Sequence, residues 1–190
     1  MEQCDPHLRT KYFVSDVHRA FPHSCQLPAP LRMVRRFFCP GRNEHPEFLS
    51  CHKGCCEWCG LTSVSEIEAY VIRDFIAREG LSMNPAMTPG ACVFLADGAC
   101  GIYPARPVIC RTQGLVLTQD NDGPVSSCPK CFAGMKASAV PAHYILDVAK
   151  IAGNLMRLNL AFCMAKGMAE KAGRRIQLRE ICKNAGSRIC

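Results

Sequence analysis

Apolar residues recur every three to four positions over a long stretch in only two parts of the chain. In LTSVSEIEAYVIRDFIAREG, Ile67, Val71 and Phe75 repeat every four residues with Ile72 and Ile76 beside them, which predicts a helix over 64–79. Ser63 followed three residues later by Glu66 reads as a capping box, and Gly80 as the stop. From Ala139 a second stripe runs through Ile145, Val148, Ile151, Leu155, Leu158, Phe162 and Met168. With Pro141 in its first turn, it predicts a helix of roughly 30 residues over 141–170, breaking near Gly153 or packing against another subunit. A last short helix is expected over 174–183.

Elsewhere the pattern is broken. Prolines at 6, 22, 28, 30, 40 and 46 interrupt the first fifty residues, where only Leu31–Phe38 has the spacing for two helical turns. Residues 81–136 hold six more prolines, a polar turn at Gln119–Pro124, and two short candidate strands, CVFL and GLVLT. Cys92 and Cys100 bracket a span with a turn at Asp97-Gly98. The expected fold is mainly α. A small cysteine-rich, metal-bound domain with long irregular loops occupies 51–136, an irregular extension 1–50, and a helical region packing on the domain 137–190. No internal repeat or low-complexity segment is present.

Composition narrows the function. The chain has 190 residues, 48% of them hydrophobic, and no apolar run of membrane-spanning length. Met1–Phe13 lacks the basic-then-apolar build of a secretory signal, so the expected compartment is the cytoplasm, where thiols stay reduced. A formal charge of +7 hints at an anionic partner. Thiolates bound to metal would lower that figure. The basic residues also fall in short clusters (Arg32, Arg35 and Arg36; Lys171, Arg174 and Arg175) that suit a solvated face better than a nucleic-acid interface.

Fifteen cysteines are the dominant chemistry. Nine lie between Cys51 and Cys131: Cys51, Cys55, Cys56, Cys59, Cys92, Cys100, Cys110, Cys128 and Cys131. Thiolates select zinc, Cu(I) or iron–sulfur clusters, and a C-x2-C spacing lets one turn aim two sulfurs at one ion. Cys56–Cys59 and Cys128–Cys131 have that spacing. The adjacent Cys55 and Cys56 must diverge, which leaves open two different metals or one cysteine that merely packs. His52 could substitute for a thiol. Cys25, Cys39 and Cys163 read as packing residues. A thioredoxin-like site is disfavoured because no strand–turn–helix context surrounds either C-x2-C. No HExxH, nucleotide loop or nucleophile elbow occurs.

The run C-HKG-CC, then LTSVSEI, then CVFLADGACGIYPARPVICR resembles the cysteine-cluster family described as zinc- or iron-chelating domains. The resemblance covers about 51–131 and implies ligands at Cys51, Cys55, Cys56, Cys92, Cys100 and Cys110, with Cys128 or Cys131. Ile102, Tyr103, Arg106, Pro107 and Arg111 match the family's other marks. Cys59 is an added thiol, and Thr112-Gln113-Gly114 replaces the family's aromatic-proline stretch. Arg106 and Arg111 are expected beside the cofactor, offsetting thiolate charge or donating to sulfur.

Long, uneven spacings from three segments favour a [4Fe–4S] cluster, with zinc as the alternative. The functional readings are a metal- or cluster-binding, redox-active protein, a zinc-binding structural or metal-delivery protein, and a thiol- or cluster-dependent enzyme acting on a protein substrate. The last follows from the likeness of such clusters to a segment of flagellin lysine methylases. A homodimer or protein partner is expected to contact the C-terminal helix.

Overall fold

The computed structural model describes residues 49–50, 54–81, 90–119 and 124–184. The candidate turns at Leu31–Phe38, the whole of the predicted N-terminal extension before Leu49, and Cys51 and His52 lie outside them.

Helix α1, Glu66–Glu79, starts two residues later than the capping box at Ser63 would place it. Ser63 and Val64 instead form strand β1, which pairs antiparallel with β7, Ile176–Gln177. The N-cap passes to Ser65, and Glu68 completes the box by accepting from the Ser65 backbone N–H at 3.0 Å and hydroxyl at 2.8 Å. Gly80 closes the helix in a left-handed conformation with φ 62°, which costs glycine nothing. Ile67, Val71, Ile72, Phe75 and Ile76 are all buried.

Around α1 gathers the first core. It takes Val93 and Phe94 from the middle of the chain, Ile102 and Ala105, and Ile176, Leu178 and Ile181 from the C-terminal elements β7 and α4, Leu178–Asn184. Strands β2, Leu95–Ala96, and β3, Ala99–Cys100, form a hairpin over this core. Its two-residue turn is Asp97-Gly98, with φ 49° and 73°. Positive φ at both positions matches the right-handed twist of a tight hairpin. The short helix α2, Val108–Arg111, follows a 3-10 turn at Tyr103–Ala105.

A second core holds Leu115, Val116, Phe132, Val140, Tyr144 and Leu146 together with Cys128 and Cys131. It lies on a three-stranded sheet with order β5-β4-β6. Strand β4, Val116–Thr118, pairs antiparallel with β5, Pro124–Ser126, and parallel with β6, Ile145–Asp147.

Strand β6 replaces the start of the predicted 30-residue helix. Pro141 precedes a 3-10 turn, Ala142–Tyr144, and the chain then extends along β4. Helix α3 is Val148–Ala165, 18 residues, and runs through Gly153 without a break. Asp147 caps it, its carboxylate accepting from the Lys150 backbone N–H at 3.0 Å. That bond and the Lys150 ammonium hold the Asp147 carboxyl below its usual range. The predicted last helix likewise gives up its first residues, to β7. Helices dominate the regular structure among the described residues, as expected, but small sheets tie them together. No described helix is long and apolar enough to cross a membrane.

One buried amide joins α3 to α1. Asn159, 3% exposed, accepts from the Ile67 N–H at 3.0 Å and donates to the Ala172 carbonyl at 2.7 Å. Ile67 lies in the first turn of α1, where backbone N–H groups lack a helical partner. Phe162 and Cys163 are buried beside it, with Phe162 5.3 Å from the Tyr70 ring. Replacing Asn159 with Leu strands a buried donor, the Ile67 N–H, and a half-buried acceptor, the Ala172 carbonyl. The expected loss is about 2–4 kcal/mol, read as a lower urea midpoint with an unchanged slope.

Candidate metal centre

Cys59, Cys92, Cys100 and Cys110 lie within range of one another's charge, and two of them, Cys92 and Cys100, pack against the first core. The Cys92 N–H donates to the Cys59 carbonyl at 2.7 Å, which lays the Cys55–Gly60 segment against the start of the hairpin. Cys92 and Cys100, at the hairpin's two ends, both pack against the core. Their sulfurs each receive a backbone N–H from two residues on, Phe94 for Cys92 and Ile102 for Cys100. An amide donor aimed at sulfur favours the thiolate form, as a metal ligand requires.

Cys110 is brought in by α2. The anchor of that helix is Glu68, whose second oxygen accepts the Val108 N–H at 3.0 Å. One carboxyl group, 5% exposed, thus joins the N-cap of α1 to the first turn of the helix bearing Cys110.

Burial pushes the Cys110 thiol up to about 12, with Cys92, Cys100 and Cys59 adding to the shift and Arg106 opposing it. Burial raises Cys100 to about 11; the Ile102 amide and Arg106 oppose, and Cys92 and Cys59 add. Cys59 is also raised, first by burial and then by Cys92, Cys56 and Cys55. Each of these thiols lies within range of its neighbours' charge. Bringing all four to thiolate without a cation is therefore costly, and a bound metal ion reverses that cost.

The two arginines have different surroundings. Arg106 lies with its guanidinium carbon 3.6 Å from the centre of the Tyr103 ring, donates to the Tyr103 carbonyl, and acts on Cys59, Cys100 and Cys110. Arg111 is 9% exposed and donates to the carbonyls of Arg106 and Pro104. It braces the loop that leads into α2. Pro107, with φ −52°, holds the approach to that helix.

Cys128 and Cys131 belong to the second core, buried at 5% and 3% exposure. The Cys131 N–H closes a turn on the Cys128 carbonyl at 2.9 Å. Phe132 follows in a left-handed conformation, φ 57°, its ring 5.3 Å from that of Tyr144. Lys130, on the same turn, pairs with Glu57 and lies within range of both Cys55 and Cys128. Cys182 has no clustered spacing in the sequence, yet it is buried in the first core and raised by burial and by Cys92. Cys163 packs in the interior, as its isolation in the sequence implied.

Among the described residues, no group of three or more His, Cys, Asp or Glu side chains is arranged to hold a metal ion. The donor chemistry nevertheless suits one: soft sulfurs from three segments, two of them already receiving amides.

Residues 49–131 match the family CxxCxxCC, described as a putative zinc- or iron-chelating domain. No curated protein and no solved structure shows significant similarity to the chain.

The raised thiols predict a distinctive pH dependence. A thiol with a folded value near 12 stays protonated where an ordinary cysteine has ionised. In the metal-free, folded chain, alkylation of Cys110 by iodoacetamide should be slow at pH 8 and still rising at pH 11, whereas an ordinary thiol levels off at about pH 10. Peptide-resolved mass spectrometry reads the rates. A Cys110 plateau at about pH 10 would contradict the assignment.

Proposed function

We propose that the cysteine-cluster segment binds metal through its thiolates, as a [4Fe–4S] cluster held by Cys59, Cys92, Cys100 and Cys110, and that the centre is redox-active. The observation that supports this most is that thiols from the 55–60 segment, the β2–β3 hairpin and α2 lie within range of one another's charge, with amide donors on two of them. Outward-facing irons of a cluster accept ligands from scattered segments, and hydrogen bonds to the sulfurs tune its potential. Arg106 supplies positive charge on one side of the group and so favours the more negative, reduced state. Arg111 acts behind it by fixing the loop. A cytoplasmic location follows from the need to keep these thiols reduced.

Zinc is the second reading, with a structural or metal-delivery role. The Cys128–Cys131 turn supports it, since paired C-x2-C knuckles are the usual zinc arrangement. Chain purified without oxygen separates the two. The expected result is stoichiometric iron and sulfide with a broad visible band that bleaches reversibly on reduction. Colourless protein with stoichiometric zinc would move the assignment to the second reading. Folded protein with neither metal would end both.

The C-terminal helix supports a protein contact as well. Met156, Leu160 and Met164 recur every four residues on α3 and are 68%, 46% and 62% exposed. A second copy of the chain is the simplest occupant of such a ridge. Light scattering should then give a dimer mass that falls to the monomer in M156E/M164E, with metal content unchanged. A monomer in the unaltered chain would remove the proposal.

A further inference from the structure

We propose that α3 meets α3 of a second copy in the antiparallel sense, crossing it on a two-fold axis at Leu160. The proposal rests on the dimer reading above and specifies how the two copies fit.

The exposed face of α3 is complementary to itself. Met156, Leu160 and Met164 form one row of large side chains at four-residue spacing. The next row, one position on, is Gly153, Arg157, Ala161 and Ala165, and three of its four residues are small. A methyl group at Gly153 would meet no neighbouring heavy atom within 4 Å, so the trough is open there. Arg157 has its guanidinium drawn along its own helix, donating to Asn154 at 3.4 Å. Rows of this spacing pack into the grooves of a like helix at a crossing of about 50°. A ridge that runs beside its own trough fits a copy of itself, each ridge lying in the other's trough. A two-fold contact requires such a surface, because one patch serves on both sides. An unrelated partner would require the ridge alone.

Charge selects the direction. Helix α3 holds Lys150 and Arg157 and no acidic residue. In a parallel pair each cation would stand opposite its own copy, with no carboxylate on either helix to offset the repulsion. In an antiparallel pair centred on Leu160, Met156 meets Met164 of the second copy. The two Lys150 side chains then lie at opposite ends, each about 15 Å along its helix from the axis. The helix dipoles oppose as well, so the positive start of one helix runs beside the negative end of the other. Lys150 and Lys166 are also engaged on their own chain, by Asp147 at 3.1 Å and by the Tyr70 ring at 5.3 Å. The centre of the contact is left apolar.

Two measurements on the full chain decide the direction. In the first, a photo-reactive benzophenone side chain replaces Met156, and the covalent dimer is digested with trypsin. Cleavage puts Met156 in the peptide Ile151–Arg157 and Met164 in Leu158–Lys166. The expected link joins Ile151–Arg157 of one copy to Leu158–Lys166 of the other. A link between two Ile151–Arg157 peptides would overturn the antiparallel fit. In the second, sedimentation compares charge variants, with circular dichroism to confirm the fold. M156E/M164E sets like charges together in either direction and should weaken the dimer at least ~100-fold. M156E/M164K sets acid against base only in the antiparallel pair, and should stay within about tenfold of the unaltered chain. Monomeric M156E/M164K, beside an equal mixture of M156E/M164E and M156K/M164K that still pairs, would overturn the direction. A161W fills the trough and should weaken the dimer about tenfold; an unweakened dimer would overturn the ridge-in-trough fit. A monomer in the unaltered chain would instead defeat the dimer reading beneath the proposal.

Discussion

The carboxyl group of Glu68 accepts three hydrogen bonds in a nearly closed site, and much of the architecture meets there. Two donors come from Ser65, at the start of α1, and one from Val108, at the start of α2. A helix of four residues has little stability of its own, because nucleating a turn costs more than its few bonds return. Attached to a 14-residue helix whose apolar face is fully buried, it gains a fixed position. Cys110 inherits that position, and so does the loop before it, which Arg111 clamps from within.

The same logic extends to the rest of the cysteine segment, where long elements are absent. The hairpin has two residues per strand and depends on Phe94, wholly buried, to hold it to the core. The Cys128–Cys131 turn depends on the packing of Phe132 against Tyr144, which also compensates the strain of a left-handed backbone at a bulky residue. Cys92, Cys100 and Cys131 are thus positioned by Phe94, Ile102 and Phe132, apolar side chains one or two residues away. A metal bound there would act on sulfurs whose backbone is already held in place, and its free energy would add to that of two modest cores.

What could be read from the sequence was what local chemistry decides. The four-residue recurrence of Ile67, Val71 and Phe75 marks a helix wherever the rest of the chain goes, and Asp97-Gly98 marks a tight turn. The run from Cys100 to Arg111 carried the resemblance to the family. The misreadings arose where two local solutions were equally good and a distant partner chose between them. Ser63 and Ser65 each stand three residues before a glutamate; pairing with Ile176 and Gln177 took Ser63 for a strand and left Ser65 as the cap. Ile145 and Leu146 fit a helical stripe, but the free side of β4 offered them a strand, and Asp147 then became the natural start of α3. Cys182 carried no signal at all, since only folding brings it near Cys92. Arg106 and Arg111 are likewise indistinguishable by type, and their separate surroundings come from the 3-10 turn between Tyr103 and Ala105.

The β1–β7 ribbon carries a consequence for how the molecule is made. Arg175 donates to the Ser63 carbonyl across 112 positions, beside the two-residue pairing that brings α4 onto the first core. On the ribosome, every clustered cysteine emerges before the residues that complete that core, at a pace of about 5–20 residues per second. For several seconds the nascent chain therefore presents soft, reactive sulfur without its finished enclosure. That interval is open to whatever supplies the metal, and equally to oxidants. A late-arriving strand makes the order of events, and not only the final contacts, part of what the fold encodes.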